Sequence, residues 1–344
     1  MDYPKVSIMI PTYNRAEMLR KCLESCLVQT YPNLEIIVSD NASLDNTRDV
    51  MKEHLKDKRV KYYCQDRNIL GEQWKRLLYE YAQGDYGALL PDDDYLINRN
   101  HIVEAMSLVY KHKVNYVLSS CYFIDHSKGI NKKIESKFPE VLSSKWSVNN
   151  IGKVFKGHCP FFPGLSAVFN LRKARALKAF IPITYGLDFE IGMKFMLSGD
   201  SVYLKGPQRM AVGHSENDSR TNTVEIAMDG SKLIDRVYSY GLAMGHNRTD
   251  LGKMRERCSV VFLSAFVSNL WYRDSGATIK SIIKYYNYLR TNKFIHINGF
   301  VCLRVILSRS SILVYLRRKS KIIYLLLRKV YRIMNIFNRD IRVA

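Results

Sequence analysis

Short apolar runs alternate with amphipathic stretches over the first 120 residues. The apolar runs have the length of buried strands and lie at 6–10, 34–39, 60–63, 86–90 and 114–120. The helical patterns lie at 16–28, from a cap at Ser43 or Asp45 to Leu55, near 72–82 and near 99–111. This alternation predicts an α/β fold with a mostly parallel sheet and helices on both faces. Ligands of such sheets bind at the carboxyl ends of the strands.

The rest of the chain has a different pattern. Residues 121–185 are irregular, a helix is predicted near 188–198, and the sequence from about 229 onward is helical, Tyr-rich and basic. We therefore expect two domains, an α/β catalytic domain at 1–228 and a helical, basic domain at 229–344.

The positive charge is concentrated in the second of these domains. The chain has a net charge of +21, and residues 229–344 hold 22 basic and 6 acidic residues. Residues 300–344 combine 11 basic residues and one acid with apolar clusters at 312–316, 322–327 and 333–337. This pattern favours amphipathic helices on an anionic membrane surface over an ordinary subdomain with a solvated basic face.

Other features bear on the location of the protein. The longest uncharged apolar stretch of the tail half, 258–272, has 15 residues, whereas a spanning helix needs about 20. The start of the chain does not resemble a signal peptide, and the seven cysteines form no CxxC pair. We expect free thiols and a cytoplasmic protein, peripheral on the inner face of the cell membrane.

Acidic residues follow two of the predicted strands. Asp40 ends the second strand, and Asp92, Asp93 and Asp94 follow the fourth. Adjacent carboxylates repel one another unless a cation or hydrogen-bond donors offset the charge, and hard oxygen ligands suit Mg²⁺ or Mn²⁺. The alternative is a solvated acidic turn. Together with Asp40, the cluster favours a divalent metal that holds a diphosphate.

Three motifs carry a family resemblance. PTYNR at 11–15, VSDNASLDNT at 38–47 and GDYGALLPDDDYL at 84–96 resemble the family-2 glycosyltransferases. The resemblance spans about residues 4–220. It implies the GT-A fold and an inverting, metal-dependent transfer of a sugar from a nucleotide-sugar in bacterial polysaccharide synthesis, of the O-antigen or capsule type.

The resemblance implies a donor site at the first two motifs. Pro11, Thr12, Tyr13 and Arg15 would line the nucleotide pocket, although a packing aromatic or a surface charge also explains the last two. Asp40 would accept a hydrogen bond from the base. An ionised Asp suits the imide N–H of uracil, which favours a UDP-sugar.

The third strand leads to further candidate donor residues. Asn68 matches the start of the family's NxG element, but Asn68-Ile-Leu-Gly71 is one residue longer than that pattern. Arg76 is a candidate nucleotide ligand in the helix that follows. Arg67 and Trp74 are further possibilities, and a packed helix face explains Trp74 equally well.

The resemblance also assigns the acidic cluster, with its register open. Asp92 or Asp93 would contact the ribose, and Asp93 or Asp94 would bind Mn²⁺ or Mg²⁺. His214 would complete the metal shell, because imidazole with carboxylates suits Mn²⁺ better than Mg²⁺. Arg220 in the following polar run would contact a phosphate.

Asp188 matches the family's catalytic base, at the head of a predicted helix. An acceptor hydroxyl must lose a proton as it attacks the anomeric carbon, and a carboxylate within reach can take it. The alternatives are a helix cap at Asp188, or Glu190 as the base. Residues 158, 159 and 161–164 lie where family members shape the acceptor and sugar pocket.

Two other functions are weighed against this one. A metal-dependent nucleotidyltransferase also uses strand-end carboxylates, but a Gly-rich phosphate loop is missing after the first strand. A nucleic-acid-binding protein would explain the basic tail, but the tail is also apolar, and no zinc-finger or RNP-like motif is present. The sequence therefore predicts a nucleotide-sugar donor, a glycan or lipid-linked acceptor and no nucleic acid.

Overall fold

The computed structural model describes residues 3–126, 129–135, 137–154, 165–181, 186–214, 224–271, 284–285, 287–289 and 291. The strands are β1 Val6–Thr12, β2 Leu34–Asp40, β3 Val60–Cys64, β4 Tyr86–Leu89, β5 Tyr95–Leu96, β6 Tyr116–Asp125, β7 Ile130–Ile134, β8 Val141–Leu142, β9 Val168–Asn170 and β10 Ser201–Val212. The helices are α1 Ala16–Leu27, α2 Thr47–His54, α3 Glu72–Arg76, α4 His101–His112, α5 Ser144–Val154, α6 Leu171–Ala176, α7 Leu187–Leu197, α8 Val224–Ala243 and α9 Arg248–Trp271.

The strands form one sheet in the order β3-β2-β1-β4-β9-β6-β10-β5. Strands β3, β2, β1 and β4 run parallel, and β6 runs parallel to β10. Strand β9 is antiparallel to both β4 and β6, and the short β5, β7 and β8 are also antiparallel. The predicted α/β fold with a mostly parallel sheet is confirmed.

Both faces of the sheet are buried, because alternate residues of each strand point to opposite faces. Ile8 and Ile10 of β1 belong to one apolar cluster, and Met9 belongs to the other. The predicted apolar face of α1 packs on the first cluster through Leu19, Cys22, Leu23 and Cys26. Continuous apolar runs therefore form the central strands, as in other sheets that helices cover on both sides.

Two helix boundaries differ from the sequence prediction. Helix α2 starts after Asn46, which makes no side-chain cap hydrogen bond. The helix predicted near 72–82 is α3 followed by a π-helical turn at Leu77–Tyr81. The Arg175 guanidinium donates to the carbonyls of Leu78 (3.1 Å) and Ala82 (2.7 Å). These hydrogen bonds give partners to carbonyl groups in the segment where the regular α-helical hydrogen bonds end.

Helices α8 and α9 pack against the sheet domain. Leu233 and Val237 of α8 and Met254 of α9 share one apolar cluster with Phe189 and Phe195 of α7. Helix α8 begins at Val224 and continues past position 228, where the sequence suggested a domain boundary. The division into two domains stays a prediction. Within the described part of the chain, no helix has the length and hydropathy that a membrane span requires.

Candidate active site

The candidate site is built at the carboxyl ends of the parallel strands. The register pairs Thr12 with Asp40 and Asp40 with Cys64, so the ends of β1, β2 and β3 lie at one level. The acidic turn Asp92–Asp94 follows β4 on the other side of β1. The parallel topology therefore brings together side chains that are up to 80 residues apart in the chain.

Reciprocal hydrogen bonds join the loops after β1 and β2. The backbone N–H of Asn14 donates to Ser43 Oγ (2.8 Å), and Leu44 N–H donates to Asn14 Oδ1 (2.7 Å). Asp45 Oδ2 accepts from Ala16 N–H at 2.9 Å, at the start of α1. Asn14 has a positive φ of 52°, which Asn tolerates better than most residues. Ser43 and Asp45, predicted as helix caps, thus hold this double loop.

Asp40 lies fully buried at the end of β2. Its carboxylate accepts hydrogen bonds from the Tyr62 hydroxyl (2.5 Å) and from Ser43 N–H (2.9 Å). Burial and the neighbouring Asp40 raise the pKa of Tyr62, so Tyr62 stays a donor. The Cys64 thiol lies 3.7 Å from Asp40 Oδ2. These partners orient a carboxylate whose remaining lone pairs suit a further N–H donor.

Asn68 is held by Asn41 from the loop after β2. Asn68 Oδ1 accepts from Asn41 Nδ2 (2.7 Å) and from Leu70 N–H (2.8 Å), and Asn41 Oδ1 accepts from Ile69 N–H (2.7 Å). The longer Asn68–Gly71 segment is thereby tied to the end of β2. The structure places Asn68 beside the site and uses its oxygen in holding the loop.

The other candidates from this segment occupy different surroundings. Arg76 is half-buried and donates to Gln65 Oε1 (2.8 Å), whose amide nitrogen donates to the Tyr81 hydroxyl (3.1 Å). Trp74 is half-buried near Phe180, with ring centroids 6.0 Å apart. Arg67 is exposed to solvent.

Asp92 is bound to the loop after β1. Its carboxylate accepts from Thr12 Oγ1 (2.8 Å) and from Arg15 Nη1 (3.1 Å). Burial raises the pKa of Asp92 to about 6, and the positive charge of Arg15 opposes that shift. Pro11 is buried beside Thr12, whereas Tyr13 is 39% exposed at the mouth of the site.

Asp93 and Asp94 contact residues of β10 and of the segment that directly follows it. Asp93 Oδ2 lies 3.0 Å from His214 Nε2 and 3.7 Å from Arg15 Nη1. Asp94 forms a buried ion pair with Arg209 and accepts from Val212 N–H at 3.0 Å. Burial also raises the pKa of Asp94 to about 6, against the effect of Arg209.

Two of these side chains have the chemistry of ligands for a divalent cation. Asp93 and His214 present one carboxylate and one imidazole to each other, a pair that suits Mn²⁺. Among the residues that the structure describes, no three His, Cys, Asp or Glu side chains are grouped to hold a metal ion. The protein would supply two ligands here, and the remaining ones would come from the donor and water.

Asp188 lies in the first turn of α7. The helix begins after Gly186, whose φ of 81° belongs to the left-handed region, and no side chain caps it. Asp188 is therefore not the N-cap. Burial raises its pKa to about 6, while the N–H groups of Phe189 and Asp188 and the charge of Arg209 oppose the shift. A half-buried carboxyl group with such a pKa suits proton transfer.

Glu190, the alternative base, is committed to structural contacts. It is buried between Arg236 of α8, at 2.6 Å, and Lys194 of the same helix, at 2.8 Å. These ion pairs engage both carboxylate oxygens, and the one with Arg236 joins α7 to α8. Of the two carboxylates, only Asp188 lacks such an ion pair among the described contacts.

Some predicted residues lie outside the described part of the chain, namely Arg220, His158, Cys159 and 161–164. Conversely, sequence reasoning missed Tyr62, Asn41 and Arg209. The available signal for Arg209 was a charged residue directly before the apolar run Met210–Val212.

The chain is similar to known glycosyltransferases. Residues 7–175, just under half of the chain, match the family model Glycosyl transferase family 2. These residues are therefore similar to the glycosyltransferase family 2 domain. A relative from Escherichia coli, UDP-Glc:alpha-D-GlcNAc-diphosphoundecaprenol beta-1,3-glucosyltransferase WfgD, is 30% identical over 152 residues, 44% of this chain and 58% of the relative. The first curated relatives are matched over 40% and 41% of their own length.

Solved glycosyltransferase structures have a similar fold. Staphylococcus aureus TarS 1-349 in complex with UDP-GlcNAc superposes with a TM-score of 0.65 at 16% identity, over 95% of this chain and 90% of TarS 1-349. The mannosyltransferase PcManGT from Pyrobaculum calidifontis, in complex with GDP-Man and Mn²⁺, gives 0.53 at 14% identity, over 98% and 88%. The predicted GT-A fold is confirmed.

Proposed function

We propose that this chain is an inverting glycosyltransferase that moves a sugar from a nucleotide-sugar, most simply a UDP-sugar, to a glycan or lipid-linked oligosaccharide. The observation that carries the proposal is the acidic turn after β4. In this turn, Thr12 and Arg15 hold Asp92, and His214 contacts Asp93. The family 2 domain and the E. coli relative, whose name specifies UDP-Glc and a diphosphoundecaprenol acceptor, support it.

The nucleotide would lie across the ends of β1 and β2. Asp40 accepts from the base, with Tyr62 and Ser43 N–H keeping its carboxylate in place. Tyr13 lies exposed at the mouth, where a ring can stack on the base. Thr12 and Arg15 hold Asp92 for the ribose.

The remaining donor contacts extend from this core. Pro11 shapes the floor of the pocket, and Arg76 reaches its edge through Gln65. Asn68 holds the loop that borders the base. Arg220 is proposed for a phosphate. Asn68 and Arg76 are assigned by position in the motif and by these contacts, and Pro11 and Arg220 are assigned by position alone.

A divalent cation, Mn²⁺ or Mg²⁺, would be held by Asp93 and His214. When bound, it neutralises the diphosphate leaving group and lowers the barrier to its departure. The Mn²⁺ complex of the structurally similar mannosyltransferase supports this assignment. Arg15, 3.7 Å from Asp93, adds a fixed positive charge on the same side.

Asp188 would act as the general base. Its carboxylate takes the proton of the acceptor hydroxyl while that oxygen forms a bond to the anomeric carbon. The bond from the anomeric carbon to the diphosphate oxygen breaks on the opposite face, and the nucleoside diphosphate leaves with the bonding electron pair. A single in-line displacement inverts the anomeric configuration.

The charge of residues 229–344 supports the proposed location and a lipid-linked acceptor. Surface polysaccharides are commonly assembled on membrane lipid diphosphates, and the +16 charge of residues 229–344 suits an anionic membrane surface. We propose a peripheral enzyme on the inner face of the cell membrane that works in O-antigen or capsule synthesis. The match to the family 2 model does not favour a nucleotidyltransferase or a nucleic-acid-binding protein.

The test is a donor panel with the intact chain. UDP-glucose, UDP-GlcNAc, UDP-galactose and GDP-mannose are supplied with Mn²⁺ and an undecaprenyl-diphosphate sugar, and nucleotide release and product are measured. We expect one UDP-sugar to be used and the proton NMR coupling of the product to show inversion. Retained configuration would refute the single displacement, and release of no nucleotide from any donor would refute the transferase proposal.

A further inference from the structure

Asp94 and Arg209 form a buried ion pair in the centre of the candidate site. Their side chains are each about 7% exposed. The second carboxylate oxygen of Asp94 accepts the backbone N–H of Val212 at 3.0 Å. Both oxygens of Asp94 therefore have donors on β10, which leaves this residue poorly suited to bind a cation directly.

The same strand leads directly to His214. Val212, whose N–H is bonded to Asp94, is two residues before His214, and Asp93 precedes Asp94. Gly213 between them donates to Ile124 O at 2.7 Å. A Cβ at Gly213 would approach Phe123 Cζ to 2.8 Å and Asp125 Oδ2 to 3.0 Å. The backbone that carries His214 is thus packed tightly on β6.

This ion pair connects the two halves of the Asp93–His214 pair. One partner follows Asp93 in the turn after β4, and the other lies on the strand that ends before His214. A buried ion pair is weak evidence for stability, because apolar residues of similar size often replace it without loss. Its location between Asp93 and His214 instead points to a role in the placement of these two side chains.

We infer that Asp94 and Arg209 are positioning residues, which hold the Asp93 carboxylate against His214 so that the two can share one divalent cation. The inference rests on the proposed function, which assigns the cation to Asp93 and His214. Residues that orient the ligands of a metal typically change its affinity 10–100-fold when replaced. Asp94 then has a different task from the neighbouring aspartates.

The experiment measures Mn²⁺ binding to the intact protein with saturating UDP, by calorimetry and by the EPR signal of free Mn²⁺. The main variant is the double replacement Asp94→Asn with Arg209→Met, which removes both charges and keeps an acceptor for Val212 N–H. We expect it to bind Mn²⁺ about 10–100-fold more weakly while its thermal unfolding temperature changes little. Arg209→Lys, which keeps the charge but not the guanidinium fork, should fall between it and the wild type.

Two controls separate geometry from stability. Glu35→Gln with Lys61→Met removes a different ion pair, between a buried Glu and a partly exposed Lys, at the opposite end of β2 from Asp40. It should leave Mn²⁺ affinity unchanged whatever its unfolding temperature. Asp93→Ala, which removes a proposed ligand, should abolish Mn²⁺ binding.

The outcomes distinguish the two proposals. A wild type that binds no Mn²⁺ with UDP refutes the metal site of the proposed function, and the inference with it. A wild type that binds Mn²⁺ as tightly as the double variant refutes the inference alone. If Arg209→Met by itself binds like the wild type while Asp94→Asn binds like Asp93→Ala, Asp94 is a ligand and the positioning role is wrong.

Discussion

Three adjacent aspartates follow β4, and each has a different partner. Asp92 bonds to Thr12 at the end of β1, Asp93 to His214, and Asp94 to β10. The residues lie in a tight turn, in which Asp94 N–H donates to Pro91 O at 3.1 Å. The half-buried Arg15 and the buried Arg209 reduce the repulsion between neighbouring carboxylates. At the residue scale the site is therefore a set of distinct roles rather than one acidic patch.

Asp188→Asn should keep donor binding and lose sugar transfer. The amide is nearly isosteric with the carboxylate but cannot take a proton, and loss of a general base typically lowers the rate about 10²–10⁴-fold. Turnover and UDP-sugar affinity are measured together. The matched control is Asp200→Asn, on the exposed surface beyond the end of α7, which should behave like the wild type. Weaker donor affinity with normal turnover would make Asp188 a binding residue.

The rate of transfer should depend on pH through Asp188. Only the ionised carboxylate is a base, and its pKa is raised to about 6. We expect kcat/KM to be constant above pH 7 and to fall tenfold per pH unit well below 6. A flat profile from pH 5 to 8, measured with a donor that does not itself titrate in this range, would contradict the assignment.

The same group should affect stability with the opposite sign. An unfolded Asp has a pKa of about 3.9, so the native state binds the Asp188 proton more tightly. Its contribution to stability is largest below pH 4 and is lost as the pH rises through about 6. The difference in unfolding temperature between Asp188→Asn and the wild type should therefore be more favourable to the variant at pH 7.5 than at pH 4. An unchanged difference at the two pH values, by calorimetry, would rule this out.

A close backbone contact at Gly84 sets the position of β4 beside β1. Strand β4 starts two residues after Gly84, where a Cβ would lie 2.7 Å from Lys5 O and 2.6 Å from Ser7 Oγ. Only glycine lets the chain approach β1 here, and β4 delivers the acidic turn. At this scale the GDY motif is a packing requirement as well as a family signature.

Gly84→Ala should lower the free energy of unfolding by about 1–3 kcal/mol, because the backbone atoms it meets cannot move without shifting β1 from β4. Urea unfolding followed by circular dichroism measures the change. Gly199→Ala is the control, since no atom lies within 4 Å of its added Cβ. Equal stability of both variants would mean that β1 and β4 can separate at little cost.

The positive charge of the whole molecule is unevenly distributed, because residues 229–344 carry +16 of the net charge of +21. Helices α8 and α9 share an apolar cluster with α7, and Arg236 bonds to Glu190 across that contact. Residues 300–344, which carry the densest positive charge, lie outside the described part of the chain. Their proposed membrane role depends on sequence pattern alone.

The intact chain should sediment with anionic vesicles and be released by salt. Attraction between basic side chains and acidic lipid contributes about 1 kcal/mol per residue and is screened over about 10 Å at 0.1 M salt. Serine replacement of Arg317, Arg318, Lys319 and Lys321 should weaken binding. Serine replacement of Lys52, Lys56 and Lys58 on the α/β half should not. Equal binding of both variants, or none by the wild type, would contradict the membrane role.

The sequence by itself determined the parallel α/β fold and the identity of the strand-end chemistry. Apolar runs such as 34–39 report local burial, and Asp40 and Asp92–Asp94 stand directly after such runs. The sequence did not determine which aspartate meets which partner. That choice depends on pairing between elements that are distant in the chain, as for Asp94 with Arg209, 115 residues apart, and Glu190 with Arg236 of α8, 46 residues apart. The two-residue alternation of side chains assigns each residue of a strand to one face of the sheet, but only tertiary packing decides which charges are buried together.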